Sequence, residues 1–302
     1  MSKTLSDDTT FAIDGHKFTA PPCANGLHIV ATPIGNLADI TLRGLQVLAA
    51  VDIIMCEDTR ITSRLLQRYQ ISTPLKPYHD HNGDRVRPKI IEVIQSGKSI
   101  ALVSDAGTPL VSDPGFKLVS KLRELDLPVH MAPGASAPIM ALALSGFPSD
   151  LFQFSGFLPP KTGARKKVLL TLNAYQGVSL VFESPKRIQS CLADMIEVMP
   201  MAQISISREL TKRYEEILRG TPQELFDQII ERDGIKGEMT IAIFPPRMAE
   251  HNCDDAVVVD ALTQAAKTMS AAKAAHEVAQ NFGLKKRDLY NMAITIKADL
   301  KS

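Results

Sequence analysis

A doubly wound parallel α/β sheet, then a mixed α/β domain and a small helical C-terminal extension, is the architecture this sequence predicts. Three observations predict it. Short apolar strands recur, and three of them run straight into Gly/Pro turns: Leu27 to Ala31 before Thr32-Pro33-Ile34-Gly35-Asn36, Ile100 to Val103 before Ser104-Asp105-Ala106-Gly107-Thr108-Pro109, and Val129 to Met131 before Ala132-Pro133-Gly134-Ala135-Ser136. Segments of helical spacing alternate with the strands, so the repeating order is strand, turn, helix. Strands such as IALVS at 100–104 are almost continuously apolar, the mark of a parallel sheet covered on both faces. Ligands of open α/β sheets sit outside the carboxyl ends of the strands, so the three turns predict one binding site held largely by main-chain groups. The middle turn is the densest, with two Asp, two Gly and two Pro in the eleven residues DAGTPLVSDPG.

Residues 1–25 are polar, include Asp7, Asp8 and Asp14, and lack a continuous apolar stretch; they are expected to form a loose tail, not a signal peptide. The first domain is expected over 26–146. Leu42, Leu45, Leu48 and Ala49 repeat at helical spacing, and Val51 to Cys56 form a strand ending in Glu57-Asp58-Thr59-Arg60. Pro88 is expected to open a helix carrying Ile90, Ile91, Val93 and Ile94, which Gly97 stops. Asp113 is placed to cap the next helix, with Pro114 at its first position and Phe116, Val119 and Leu122 on its buried face. The character changes near Gly146-Phe147-Pro148, and a second domain is expected over 147–246. Its candidate strands are Leu151 to Phe157, Val178 to Phe182, Gln203 to Ser207 and Met239 to Phe244, with helices around 163–174, 186–198 and 222–232. Thr221-Pro222-Gln223-Glu224 has the form of a capping box at the start of the last helix. Beyond Pro245-Pro246 the sequence turns Ala-rich. Ala271, Ala275, Val278, Ala279 and Phe282 mark one apolar face, Gly283 breaks it, and Lys285-Lys286-Arg287 starts another helix, so 247–302 reads as a helix-turn-helix-like extension.

Composition narrows the function classes. At 302 residues the chain has room for about two domains, and no apolar run approaches the roughly 20 residues of a membrane span. A net charge of +1 excludes a globally basic nucleic-acid binder while leaving local basic patches open. Cys23, Cys56, Cys191 and Cys253 are far apart and form no CxxC pair, which suits a reducing cytoplasm without a structural metal. ATPIGN has one glycine where a Rossmann dinucleotide site needs G-x-G-x-x-G, there is no Walker A sequence, and no Ser sits in a G-x-S-x-G elbow. His79 and His81 are a close pair in YHDHNGD, but no Cys or third His stands at ligand spacing.

The run LHIVATPIGNLADITLRGLQVL, the strand end EDTR, the loop VSDAGTPLVSDPG and the turn PGASAPIMALALSGFP together resemble the tetrapyrrole methylase superfamily. The segments FSGFLP, ESPKR, SREL with YEEILRG, and KGEMTIAI resemble one branch of it, the ribosomal RNA small subunit methyltransferase I family. The resemblance spans roughly residues 26 to 246, and the helical extension also fits. DAGTP stands where tetrapyrrole enzymes usually carry a GDP-type loop. The resemblance implies a two-domain tetrapyrrole-methylase-like fold binding S-adenosylmethionine between its domains. It further implies 2′-O-methylation of a decoding-centre cytidine, cytidine 1402 of 16S ribosomal RNA, on the small subunit, by a cytoplasmic homodimer that acts on neither membrane nor DNA. It also implies that Pro33, Asp105, Gly107, Thr108, Pro109, Pro133, Gly134 and Ala135 line the cofactor cleft, with Thr240 and Ala242 added from the second domain.

Methyl transfer from a sulfonium needs neither metal nor covalent intermediate; it needs the acceptor oxygen held in line behind the methyl carbon, so positioning carries much of the catalysis. Gly and Pro turns let backbone carbonyls approach the sulfonium, and Asp105 adds a carboxylate near that charge or else caps its own loop. A base for the ribose hydroxyl is optional, since the proton can leave to water afterwards. Glu57 and Asp58 at a strand end, and Glu183 and Glu209 in the second domain, are the candidates, all of types that also cap helices and close salt bridges. Lys186, Arg187 and Arg208 are candidates for phosphate contacts, Arg187 also for catalysis. Lys161, Arg165, Lys166 and Lys167 form a basic cluster, as do Lys285, Lys286 and Arg287; each is either an RNA contact or a solvated helix face. Two competing readings remain: a small-molecule methylase acting on a tetrapyrrole or diphthine precursor, which would lack the basic clusters and helical tail, and a non-enzymatic ribosome-assembly protein, which would need no open cleft.

Overall fold

The stretch expected to be a loose tail contains a hairpin. Strands β1 (Thr10–Ile13) and β2 (His16–Thr19) pair antiparallel across a two-residue Asp14-Gly15 turn, both residues at positive φ. Asp-Gly between short strands is a strong hairpin signal, so the sequence did carry it. Phe11 is buried with Leu45, Leu48 and Tyr69, and Ala12 N–H donates to the Tyr69 carbonyl at 2.7 Å, which ties the hairpin to the domain. The computed structural model describes residues 9–79, 82–232, 234–245, 255–282 and 284–299; the first eight residues of the expected tail, the second histidine of the pair (His81), Cys253 and Gly283 lie outside them.

The chain divides into two units, one up to Pro245 and one from Pro246. The first unit opens with β3 (Gly26–Val30), α1 (Leu42–Ala50), β4 (Ile53–Cys56), α2 (Thr59–Arg68), β5 (Leu75–Pro77), α3 (Gly83–Gln95), β6 (Ser99–Val103), α4 (Phe116–Glu124), β7 (Val129–Ala132) and α5 (Ala137–Ser145). Its five strands are all parallel in the order β5-β4-β6-β3-β7. β3 and β6 are buried along their whole length, as a sheet covered on both faces requires. Because β6, β3 and β7 are neighbours, the three Gly/Pro turns emerge side by side.

Two helix starts differ from the sequence expectation. α3 begins at Gly83, so Pro88 lies inside it and forgoes the bond its missing N–H would make to Asp84. The turn before it is held by Asn82, whose Oδ1 accepts from His79 N–H at 3.0 Å and whose carbonyl accepts from Val86 N–H at 3.0 Å. α4 begins at Phe116 after Gly115, whose φ of +133° favours glycine, so Asp113 is not its cap. A Cβ at Gly115 would also stand 2.9 Å from Leu102 Cδ2.

The second sheet follows: β8 (Phe152–Phe157), α6 (Thr162–Asn173), β9 (Val178–Glu183), α7 (Ile188–Val198), β10 (Gln203–Arg208), β11 (Glu216–Gly220), α8 (Pro222–Glu231) and β12 (Met239–Phe244). It is mixed, in the order β11-β10-β12-β9-β8, with only β8 and β9 parallel. β11 was not among the expected strands; it is a charged strand paired on one side only, where alternation is weak. The capping box of α8 is formed in both directions. Helices α6, α7 and α8 pack with Val181, Ile204, Ile206, Ile241 and Ile243 on one face. α5 covers part of the other face, Leu142 packing with Val178, Leu180 and Ala242, although in sequence it precedes the expected domain boundary. The remainder of that face borders the cavity described below.

The second unit is three helices, α9 (Ala256–Thr268), α10 (Ala271–Phe282) and α11 (Lys286–Asp299), around Val258, Leu262, Ala274, Ala275, Val278, Leu289 and Ala293. Among the described residues no helix is long and apolar enough to cross a membrane.

Candidate functional site

The three turns are knitted together by backbone. Thr32 and Gly107 exchange N–H···O bonds of 2.8 and 3.0 Å, and Ala31 N–H donates to the Ala132 carbonyl at 3.2 Å. Thr108 Oγ1 donates to the Ala135 carbonyl at 3.1 Å, and Thr41 Oγ1 to that of Pro133 at 3.4 Å. Facing them across a cavity of about 370 Å³ are the ends of β9, β10 and β12. The two sides touch where Asn36 N–H donates to Thr211 Oγ1 at 3.0 Å and where Gly35 packs so close that a Cβ would stand 2.5 Å from Lys212 Cγ. Leu110, Ser112, Glu209 and Thr211 all hold positive φ in the loops bordering this cavity. Each such non-glycine residue costs roughly 1–2 kcal/mol, strain that concentrates at functional sites.

Of the residues expected in the cofactor cleft, Gly107, Thr108 and Thr240 line this cavity. Pro33, Pro109, Pro133, Gly134 and Ala135 belong to the turns that shape it but are not on its lining. Ala242 shares the face of β12 with Thr240 yet is fully buried against Leu142. Asp105 points elsewhere: it lines a second, shallower depression of about 380 Å³ together with Glu57, Asp58 and His79. There its Oδ1 accepts the Asp58 N–H at 3.0 Å, and burial pushes its carboxyl above the ordinary range. Also on the main cavity are Ser112, Phe157, Phe182, Ser207, Lys212 and Glu238, none expected there as site residues, and Asp113, which was expected only as a helix cap. Asp113 is half-buried there and its carboxyl is raised by burial, against a hydrogen bond from Ser104.

The four acidic candidates separate by geometry. Asp58 caps α2, accepting from Arg60 N–H at 2.8 Å and from its guanidinium at 2.6 Å, and those bonds hold its carboxyl at about 2. Asp58 is thus engaged in capping α2 and pairing with Arg60, on the second depression and off the lining of the main cavity. Glu57 lies beside it in the second depression. Glu209 is bonded to Lys212 at 3.1 Å, and Lys212 also reaches Glu238 at 3.0 Å. Glu183 lines the main cavity with a fully buried side chain. Ser184 N–H donates to its Oε1 at 2.8 Å and Arg187 Nη2 to its Oε2 at 2.9 Å, the same nitrogen reaching the Leu158 carbonyl at 2.6 Å.

The basic candidates divide as well. Arg165 is only 2% exposed, with Nε donating to Asp194 Oδ2 at 2.6 Å and further bonds to the carbonyls of Pro160 and Ser190. It is a core ion pair, so the RNA-contact expectation for Arg165 is corrected. Lys166 is paired with Glu197, and Arg208 with Glu216 and the Lys236 carbonyl. Lys161, Lys167 and Lys186 are exposed, as are Lys285, Lys286 and Arg287 at the start of α11.

Comparison with known proteins agrees with this geometry. Residues 26–225 match the family described as Tetrapyrrole (Corrin/Porphyrin) Methylases, and residues 254–297 match the RsmI C-terminal HTH domain. A Mesorhizobium japonicum protein named Ribosomal RNA small subunit methyltransferase I is 45% identical over 92% of this chain and 94% of its own length. A protein of the same name from Vibrio cholerae is 44% identical over 91% and 96%. The chain belongs to the ribosomal RNA small subunit methyltransferase I family.

Solved structures place that family's fold more widely. Diphthine synthase superposes with a TM-score of 0.57 at 14% identity, covering 72% of this chain and 89% of that one. A uroporphyrin-III C-methyl transferase from Thermus thermophilus, complexed with S-adenosyl homocysteine, gives 0.51 at 14%, covering 72% and 97%. At such identities the likeness is one of fold. The match to the family's helix-turn-helix domain covers α9, α10 and all but the last two residues of α11, where the exposed Lys285, Lys286 and Arg287 open the last helix.

Proposed function

We propose that this chain transfers the methyl group of S-adenosylmethionine to the ribose 2′-oxygen of cytidine 1402 in 16S ribosomal RNA. The cavity between the two sheets, lined by turn glycine and threonine on one side and by Glu183 on the other, carries the reading. The residues fit the cofactor: the lining is mostly apolar, Gly107 leaves a close approach to backbone at φ +81°, and the buried Ser207 Oγ on its wall has no partner within the protein. When bound, S-adenosylmethionine supplies an electrophilic methyl on a sulfonium. The chain's own part is positional. Backbone carbonyls of the turns and the carboxylates of the cleft favour positive charge, and the loops locked by Asn36–Thr211 fix the two walls against each other.

Glu183 is the acceptor-side group this geometry favours. Each of its oxygens already accepts one bond and keeps capacity for another, so it can take a hydrogen bond from the ribose hydroxyl without leaving Arg187. Arg187 is then a positioning residue that pairs with the buried carboxylate and aims it, not a phosphate contact. The exposed Lys161, Lys167 and Lys186, with Lys285, Lys286 and Arg287 on the helical unit, supply phosphate contacts to the small subunit. A cytoplasmic homodimer completes the reading, on the strength of the family resemblance.

Tritium transfer to small subunits tests it. Subunits carrying 2′-deoxycytidine at the target should bind and accept no label, because the acceptor atom is missing. Label incorporated into the deoxy substrate would mean base methylation and refute the proposal.

A further inference from the structure

Strand β8 breaks register against β9 between Phe154 and Phe157, where Gly156 holds a φ of +65°. Residues three apart on a regular strand face opposite sides of the sheet. The bulge cancels that parity: Phe154 and Phe157 both meet the ring of Phe182, at centroid distances of 4.9 and 5.3 Å. Bulges next to active sites commonly re-aim a side chain, and here the side chain brought to the cavity is a ring. The position is fixed from the other wall too, since a Cβ on Gly156 would stand 3.3 Å from Ser112 Oγ.

Phe157 lines the cavity beside Phe182 and Glu183, and yet it is 61% exposed. A rigid apolar ring held open at the rim of a cleft is a surface prepared for a flat partner. Methyl transfer to a ribose inside the cleft requires the target nucleotide to be splayed from the RNA, which strips its base of neighbouring stacks. Aromatic side chains replace that stacking. The cofactor's adenine is the other flat group available, but the exposure of Phe157 places its open side toward incoming substrate, whereas the unpartnered Ser207 hydroxyl is buried in the wall. We propose that Phe157, backed by Phe182, is the stacking platform for the base of the nucleotide being methylated. The inference rests on the methyltransferase reading of the same cavity.

The chain contains no tryptophan, so Phe157→Trp introduces a single indole as reporter. Its emission should be quenched by small subunits in the presence of S-adenosylhomocysteine and left unchanged by S-adenosylhomocysteine alone. Phe157→Leu keeps apolar bulk but removes the π face. It should lower kcat/KM for small subunits roughly 5- to 100-fold, with calorimetric affinity for S-adenosylhomocysteine unaltered. Quenching by S-adenosylhomocysteine alone, or weakened cofactor affinity in Phe157→Leu, would assign the ring to adenine and overturn the proposal. Native-like transfer by Phe157→Leu would overturn it as well, with the functional reading intact. Absence of transfer by the native chain would remove both.

Discussion

Removing Arg165 should unfold the second sheet's helical layer long before it affects RNA binding. Its guanidinium is buried against Asp194 and bonded to the Pro160 and Ser190 carbonyls, so Arg165→Met removes the nearer cationic partner of a buried carboxylate together with both carbonyl bonds. Breaking one side of a buried pair costs about 3–5 kcal/mol. The lower figure applies here, because Lys166 Nζ lies 3.8 Å from Asp194 and partly offsets the abandoned charge. At about 2–4 °C per kcal/mol for a domain of this size, the melting temperature should fall by about 6–12 °C. The double variant Arg165→Met with Asp194→Leu should recover most of that loss, since a buried pair replaced by apolar residues of similar volume is often neutral. Circular-dichroism melts of the native chain, both single variants and the double variant complete the cycle. If Arg165→Met instead melts like the native chain while the salt slope of RNA binding falls by about one, the side chain contacts phosphate and the burial argument is wrong.

Gly107→Val should abolish S-adenosylhomocysteine binding in calorimetry, because φ +81° is strained for a β-branched residue and its Cβ would press within 3.3 Å of Ile34 Cγ2 on the cavity wall; unchanged affinity would contradict the site. Deleting residues 247–302 should weaken small-subunit binding and flatten its dependence on salt while sparing cofactor affinity, since fewer counterions are released without Lys285, Lys286 and Arg287. An unaltered slope would make the helical unit a purely structural element. Burial, seconded by the stacked His130 ring, depresses His28 below its ordinary 6.5, against a bond to the Ala24 carbonyl. The unfolded chain therefore binds the extra proton first, so stability should be full above pH 6.5 and decline as pH falls below it. Urea titrations of His28→Asn should show a shallower decline, and an identical pH profile would show that His28 contributes nothing to it.

Sequence alone determined the parts of this protein whose cause is local. Gly and Pro after apolar strands mark turns whatever surrounds them, and parallel strands then gather those turns at one end, which is why a single cavity at the turns, bordered by Gly107 and Thr108, was foreseeable. Thr221 and Glu224 could be read as a capping box because both partners lie within one turn. The Asp14-Gly15 hairpin was equally local and was there to be read. Tertiary structure decided everything that depends on a distant partner. Arg165 and its exposed neighbours Lys161 and Lys167 look alike along the chain; only Asp194, 29 residues away, makes the first a core residue. Glu183 ends β9 while Asp58 and Asp105 follow β4 and β6 by two residues, and the folded chain puts these two on a separate depression and Glu183 on the cavity. Phe157 entered the cleft through a one-residue slip in β8, a change of register that reverses which face a side chain takes and that no alternation of residue types records.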